Sequence, residues 1–528
     1  MKRRNFLKLS GAAAAATTLP HFAIGQSASA TTLKFVPQAD LASLDPVFNS
    51  SQIVSNHAFA VYDTLYAVNS KYDVKPQMAE GETVSADGRT VLIKLREGLK
   101  FHDGEPVRAQ DCAPSLERWS KRDTMGQTVA KFVDSWGVQD DRTIKISLKR
   151  PFPLLTMALA KPGTIVPFMM PERLAKTDAA KEIKESIGSG PFKFVANEYV
   201  AGSRAVYTKF DNYVSRKETP DWATGAKIAN FQRVEWHIIP DASTAAAALQ
   251  NGEVDWWDFA QVDIVSLLRK NRDIKVGVSD PSGQMGFIRF NHTQPPFNDV
   301  RMRRAVLAAV NQEDYMRAVT GNDIKAFSTC KAMFPCATPY GTEIGQPAMN
   351  ANIEEAKRLL KEAGYAGQKI VLLSPSDNPQ IAPMGEVAFD MLKKMGMNVE
   401  FVSTDFGTVL QRRANRGPVE AGGWSLFMLR ATGTSIINPL LAAPLRGQGA
   451  NGYPGWYASE KMEQMAEEWV FAKDEAERVK IANNMQQEAF TSIPSVPLGL
   501  FFSNNAYRAS LTGLIESPIP LFWGVKRA

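Results

Sequence analysis

Few residues of this 528-residue chain are spaced for covalent chemistry. It has five histidines and three cysteines. No HExxH, no GxSxG and no paired Cys-His spacing occurs, so neither a zinc hydrolase nor an activated nucleophile is spelled out. His102, in Phe101-His102-Asp103-Gly104, has no acidic or histidine partner at ligand spacing and reads as structural. Gly188-Ser189-Gly190-Pro191 could pass for a phosphate cradle. It lacks the Lys-Ser/Thr ending of a P-loop, and Pro191 removes an amide that could bind phosphate. Cys112 falls in an expected helix and reads as a buried, inert thiol. Cys330 and Cys336 could close a small loop, and their spacing leaves that open. No cofactor motif is found. What remains is binding chemistry. Gly422-Gly423-Trp424-Ser425 offers close backbone approach beside a flat apolar wall with one donor.

The elements that must position such groups are read from periodicity. Leu33–Val36, Thr90–Leu95, Ile144–Leu148, Phe231–Ile239, Lys369–Leu373 and Val399–Val402 read as strands. Asn197–Tyr207 continues a sheet. Helices are expected over Val54–Tyr66, around Leu116 and Trp119, over Thr244–Gln250 with Gly252 as its cap, and over Gly385–Met395. Asn352 with Glu355 forms a capping box before Ala356, Leu359, Leu360 and Ala363. Ile288 to Val310 is the organising stretch. A strand with Ile288 and Phe290 on one face breaks at Asn291, and Pro295-Pro296 forbid its return. Asn298 or Asp299 caps a helix whose apolar face is Met302, Ala305, Val306, Ala309 and Val310, with Arg301, Arg303 and Arg304 largely away from it. This reads either as an ordinary strand-loop-helix unit or as a crossing between two lobes.

The length implies two or three domains, and no apolar run reaches the roughly 20 residues of a membrane span. Formal charge is +6, with four of the 61 basic residues among the first eight; beyond these, 57 basic face 55 acidic residues. That balance gives no reason to expect nucleic acid as a partner. Residues 1–30 read as a targeting segment. Arg3-Arg4-Asn5-Phe6-Leu7-Lys8 resembles the twin-arginine export motif, and Ala28-Ser29-Ala30 places cleavage before Thr31.

Several stretches, in order, resemble bacterial extracellular solute-binding proteins of the dipeptide and oligopeptide type (family 5), the capture subunits of ABC importers. They are the segment after Leu44-Asp45-Pro46, LREGLKFHDGEPVRAQD at 95–111, GSGPFKF at 188–194, LQNGEVDWW at 249–257, FNHTQPPFNDVRMRRAV at 290–306, and VPLGLFFSNNAYRASLTG at 496–513. The resemblance runs from about Leu33 to about Gly513. It implies an α/β, periplasmic-binding-protein-like fold: two lobes closing over a cleft, with an extra inserted domain. Lobe I is expected at 31–70, 205–285 and 500–528, the inserted domain at 71–204, and lobe II at 286–499. The expected protein is a periplasmic monomer that binds a short peptide or other small solute and serves ABC permease subunits. A secreted hydrolase, or a periplasmic chaperone or receptor-docking protein on the same fold, are the alternative functions.

The resemblance also places the ligand. Trp424, with Gly423 and Ser425, should line the cleft, and the loop after Leu44-Asp45-Pro46 should bring Phe48 and Asn49 to it. NGYPGW resembles a family loop near the same cleft, which makes Trp456 a further candidate; Gln284 and Met285, from their place just before the organising strand rather than from the resemblance, could line the floor. Peptide binders of the family carry an acid soon after the tryptophan, for the ammonium group. This chain reads Trp424-Ser-Leu-Phe-Met-Leu-Arg430, with none. Dipeptide binders carry an arginine where this chain reads Leu373-Ser-Pro-Ser-Asp-Asn378. Arg430 is the candidate carboxylate contact and Asp377 a candidate partner for a cation.

Overall fold

The computed structural model describes residues 31–528 apart from Ser279, Asn322, Ala337 and Gln346. The twin-arginine segment and the expected cleavage site lie outside the described residues.

Two large sheets organise the chain. The first has seven strands in the order Ile274–Val278, Asn504–Arg508, Trp256–Ala260, Thr32–Val36, Arg233–His237, Arg204–Lys209 and Phe192–Phe194. Thr32–Val36 runs parallel to both neighbours. Its alternation explains its central place, since side chains at successive positions point to opposite faces. Leu33 and Phe35 join a core with Trp236, Trp256 and Phe522, whereas Val36 joins Leu249, Trp257 and Leu268 on the other face. Trp256 and Trp257 are therefore both core residues. Phe522 meets Phe35 edge-on at 5.1 Å, so the carboxyl-terminal segment returns to this sheet.

The helix expected over Val54–Tyr66 is shorter, spanning Gln52–Val61. Tertiary contacts end it. Gly188 and Gly190 press against its last turn, where a Cβ on Gly188 would stand 2.2 Å from the Val61 carbonyl oxygen. Asp63 then turns inward to a buried ion pair with Lys227 at 2.8 Å. The glycines at 188 and 190 thus serve backbone packing. His102 holds the same turn, with Nε2 donating to the Gly190 carbonyl at 3.0 Å.

The inserted unit is a four-stranded antiparallel sheet of Ala79–Val84, Thr90–Leu95, Thr143–Leu148 and Val133–Asp140. The helices Ala109–Ser120 and Thr124–Phe132 pack beside it, and Leu116, Trp119 and Cys112 are fully buried. Burial pushes the Cys112 thiol pKa up, as expected of an inert cysteine. The strand Phe192–Phe194 belongs to the seven-stranded sheet. An inserted domain reaching to 204 therefore runs past the sheet boundary.

The second large sheet has six strands: Phe327–Ser328, Ser495–Phe501, Gln284–Phe290, Leu426–Thr432, Lys369–Pro375 and Asn398–Thr404. Lys369–Pro375 pairs in parallel with both neighbours, the expected strand-helix-strand arrangement. Every residue of Gln284–Phe290 is buried. The corner at 291–299 stays within this unit, since Phe297, Met302 and Val306 pack with Ile288 and Phe290. Of the two readings of this stretch, the ordinary strand-loop-helix unit is the observed one. The chain passes between the large sheets instead from Val278 to Gln284 and from Phe501 to Asn504. Asp299 is the cap, accepting from the Arg301 amide at 2.8 Å.

Arg303 departs from expectation. It is buried, donating to the carbonyls of Phe297 at 2.6 Å, Ser492 at 2.7 Å and Ile493 at 3.0 Å. Two of these acceptors lie at the end of the helix Glu475–Ser492, where unpaired carbonyls and the helix dipole favour a cation. Cys330 and Cys336 form a disulfide.

Candidate functional site

Between the two large sheets lies a cavity of about 1510 Å³. It exceeds the roughly 300–1,000 Å³ of common small-molecule pockets. Both lobes and the inserted unit line it.

The first wall is the loop Gln38–Gln52. Asp45 organises it from a buried position. Its carboxylate accepts from the amides of Val47 at 3.0 Å and Ile183 at 2.9 Å, and pairs with Arg118 at 2.7 Å. This anchorage presents Phe48, Asn49 and Ser50 to the cavity. The inserted unit adds Arg122, whose guanidinium donates to the Phe48 carbonyl at 3.2 Å. Asp123 caps the next helix and pairs with Lys161 at 2.5 Å.

The opposite wall comes from the second sheet and the loops after it. Arg413 follows the helix Phe406–Arg412. It donates to the Tyr453 hydroxyl at 2.9 Å and, across the cleft, to Ser50 Oγ at 3.2 Å. Its guanidinium carbon stands 5.3 Å from the Tyr453 ring and 5.8 Å from the Phe427 ring. Arg416 lies 4.8 Å over the Trp456 ring and donates to the Ala450 carbonyl at 2.6 Å. The loop carrying Tyr453 and Trp456 is tied down by Arg289 from the central strand. That fully buried guanidinium donates to the carbonyls of Pro454 at 2.9 Å and of Pro444 and Pro494 at 3.1 Å. Burial lowers the Arg289 pKa to about 10, so it stays charged at neutral pH. Trp456 has φ 50°, a left-handed conformation uncommon for a bulky residue and often found at functional positions.

Further bonds cross the cleft. Gln127 Nε2 donates to the Asn451 carbonyl at 3.1 Å, Gln448 Nε2 to the Thr124 carbonyl at 3.1 Å, and Arg446 to Thr128 Oγ1 at 2.8 Å. Arg430 donates to Gln38 Oε1. Burial lowers the Arg430 pKa to about 10, opposed by the charges of Asp258 and Asp280. Behind Arg430 is a small polar pocket that also holds Asp258, Asp280 and Gln284. Burial raises the Asp258 carboxyl to about 7 and Asp280 to about 6.

Of the residues expected to hold ligand, Phe48, Asn49, Arg430 and Trp456 line the large cavity. The others stand elsewhere. Trp424 is wholly buried behind the wall, with Nε1 donating to the Arg413 carbonyl at 3.0 Å. Its ring packs on Phe427 at 5.0 Å and Trp456 at 5.8 Å. Ser425 Oγ accepts from the Val371 amide at 3.0 Å, inside the sheet. A Cβ on Gly423 would stand 2.0 Å from the Gly417 carbonyl oxygen. Its close approach is thus to the chain's own turn. The glycines precede the strand Leu426–Thr432. Met285 is core, paired with Ala431 and Leu500. Gln284 binds Ser503 Oγ at 2.8 Å beside the small pocket. Asp377 accepts from the Phe406 amide at 2.8 Å, so it braces a helix start near the cleft.

Sequence reading passed over Arg413, Arg416 and Tyr453. A signal existed: Arg412, Arg413 and Arg416 crowd a stretch with no acid from Phe406 to Val419.

A two-lobed α/β molecule with a wide cleft beside paired interlobe connections is a periplasmic-binding-protein fold. A profile of the bacterial extracellular solute-binding proteins, family 5 (middle), matches residues 73–441, and the chain belongs to that family. A twin-arginine translocation signal profile matches residues 1–20. The chain is 35% identical over 534 residues, 100% of both chains, to a probable peptide ABC transporter periplasmic-binding protein of Sinorhizobium fredii. It is 26% identical over 493 residues, 91% of each chain, to the glutathione-binding protein of Salmonella typhimurium. Among solved structures, the oligopeptide-binding protein AppA of Bacillus subtilis, in complex with a nonapeptide, shares the fold. Its TM-score is 0.79 at 18% identity, covering 94% of this chain and 99% of that one. The binding protein DppA of Helicobacter pylori, in complex with the peptide STSA, gives 0.78 at 22% identity, covering 94% and 98%. The protein is thus the solute-binding component of an ABC importer, exported to the periplasm.

Proposed function

We propose that the protein captures a short peptide, or a polar solute of similar size, between its lobes and hands it to an ABC permease when the lobes part. The observation that carries this reading is the cavity of about 1510 Å³, walled by both lobes and bridged by side-chain hydrogen bonds across it. Hinge closure over a solute uses this geometry. The named ligands of the peptide- and glutathione-binding relatives support a peptide-like solute. Phe48, Asn49, Arg430 and Trp456 from the sequence, with Arg413 and Tyr453 from the structure, form the contact set. A dissociation constant near 1 μM corresponds to about −8 kcal/mol, within reach of a few charge-assisted bonds in a closed cleft.

The role is capture without chemical change. Buried His57 and half-buried His102 are held neutral, with pKa values lowered to about 3 and about 4. Neither lines the cleft. Following sheet membership, lobe I is 31–70, 192–278 and 504–528, the inserted domain 71–191, and lobe II 284–501. A single chain suffices, because both walls come from it. Native mass spectrometry of protein purified from the periplasm tests this reading. One small solute per chain, released on denaturation, is expected; solute-free protein that takes up no peptide would overturn it.

A further inference from the structure

The charges around the cleft do not balance. Four carboxylates line it: Asp123, Glu182, Glu460 and Glu463. Three already hold a cation, in the pairs Asp123–Lys161, Glu182–Lys184 and Glu463–Arg446. Glu460 is exposed at the start of its helix. On the other side, Arg122, Arg413 and Arg416 line the cleft and meet only neutral oxygens and rings. Among the described residues none of them forms an ion pair.

These cations are gathered at one end. Arg122 and Arg413 both reach the segment Phe48–Ser50, from opposite lobes. The Tyr453 ring lies between Arg413, at 5.3 Å, and the buried Arg289, at 5.8 Å. Arg289 also meets only carbonyls, a hydroxyl and this ring. A fully buried, unneutralised charge is weakly screened, and its field reaches into the adjoining cleft. Each guanidinium has five donors in a fixed fork, and Arg413 spends two of them on the bonds above. Phe427, the aromatic neighbour of Arg413, lines the same wall and offers no charge to an ammonium group.

Resting on the cleft being the capture site, we propose that it selects solutes bearing two or more anionic groups, held by Arg413, Arg416 and Arg122, with no unpaired buried carboxylate to anchor the solute's ammonium. Carboxylates match the guanidinium fork in pairs of parallel bonds. A cationic side chain meets repulsion at the same place.

The test is calorimetric titration of solute-stripped protein with Glu-Glu, Lys-Lys and N-acetyl-Glu-Glu at neutral pH. Glu-Glu is expected to bind at least tenfold more tightly than Lys-Lys, and N-acetylation to change its affinity by less than about threefold. Arg413→Gln should weaken Glu-Glu at least tenfold. Arg416→Gln, an exposed position, should weaken it at least threefold and decides the matter if the Arg413 variant melts early. Equal or tighter binding of Lys-Lys, loss of binding on N-acetylation, or unchanged affinity in both variants overturns the proposal and leaves peptide capture standing. If none of the three binds, the solute found by native mass spectrometry decides: a net anion supports the proposal, and a neutral or cationic solute overturns it. No bound solute at all, with no peptide binding, removes the capture reading and this one with it.

Discussion

Trp424→Ala should cost the fold more than it costs the ligand. The indole is fully buried, edge-on to Phe427 at 5.0 Å and tilted on Trp456 at 5.8 Å. Truncating a core tryptophan to alanine typically costs about 3–5 kcal/mol in lost transfer energy and residual cavity. The indole N–H also satisfies the Arg413 carbonyl at 3.0 Å. Trp424→Phe isolates this second contribution. It keeps most of the ring contact and leaves that carbonyl unpaired, for about 1–3 kcal/mol. Urea unfolding followed by circular dichroism, beside calorimetry with Glu-Glu, reads both effects. The midpoints should fall in the order wild type, Trp424→Phe, Trp424→Ala. Affinity should change little in the phenylalanine variant, because the ring behind Arg413 and Trp456 is still present. A wild-type midpoint for Trp424→Ala with a tenfold or greater loss of affinity would refute this reasoning and return the indole to the ligand wall.

Three other outcomes are expected. Asp45→Ala removes one partner of a buried pair that also fixes the loop of Phe48, so it should destabilise by about 3–5 kcal/mol in the same unfolding assay; a loss below about 1 kcal/mol would contradict the anchoring role. Asp258 is raised to about 7 in the folded protein against about 4 unfolded, so the folded state binds the extra proton and stability falls as pH rises through that window. Asp258→Asn should flatten the decline of melting temperature between pH 4 and 7, apart from the share that Asp280, raised to about 6, contributes with the same sign; a wild-type slope in the variant would count against it. The mature protein should begin at Thr31, read by amino-terminal sequencing of periplasmic material, and an intact Met1 there would contradict the assigned cleavage.

Much of the scaffold was legible because its signals are local. Alternation placed Thr90–Leu95 and Lys369–Leu373 within observed strands. Asn352 accepts from the Glu355 amide at 3.0 Å, as its spacing implied. Failures came where distant segments decide. The helix stops at Val61 because Gly188 and Gly190, distant in the chain, press on it. Arg303 looked like surface by helical phase, yet carbonyls near 492 draw it inward. The site divided in the same way. Phe48, Asn49, Arg430 and Trp456 line the large cavity, where the sequence led one to expect them. Trp424 was misplaced, because a glycine pair before a tryptophan reads alike whether it admits a ligand or, as here, the turn at Gly417. Arg413 depends on where its loop lands against Ser50, some 360 residues away, and helical or strand periodicity carries no such information.

Small-angle X-ray scattering on the stripped protein, before and after adding its co-purified solute, tests the central claim most directly. The account predicts a smaller radius of gyration and a narrower distance distribution at saturation, as the lobes close over the cleft about the connections at 278–284 and 501–504. Identical scattering with and without stoichiometrically bound solute would contradict capture by closure.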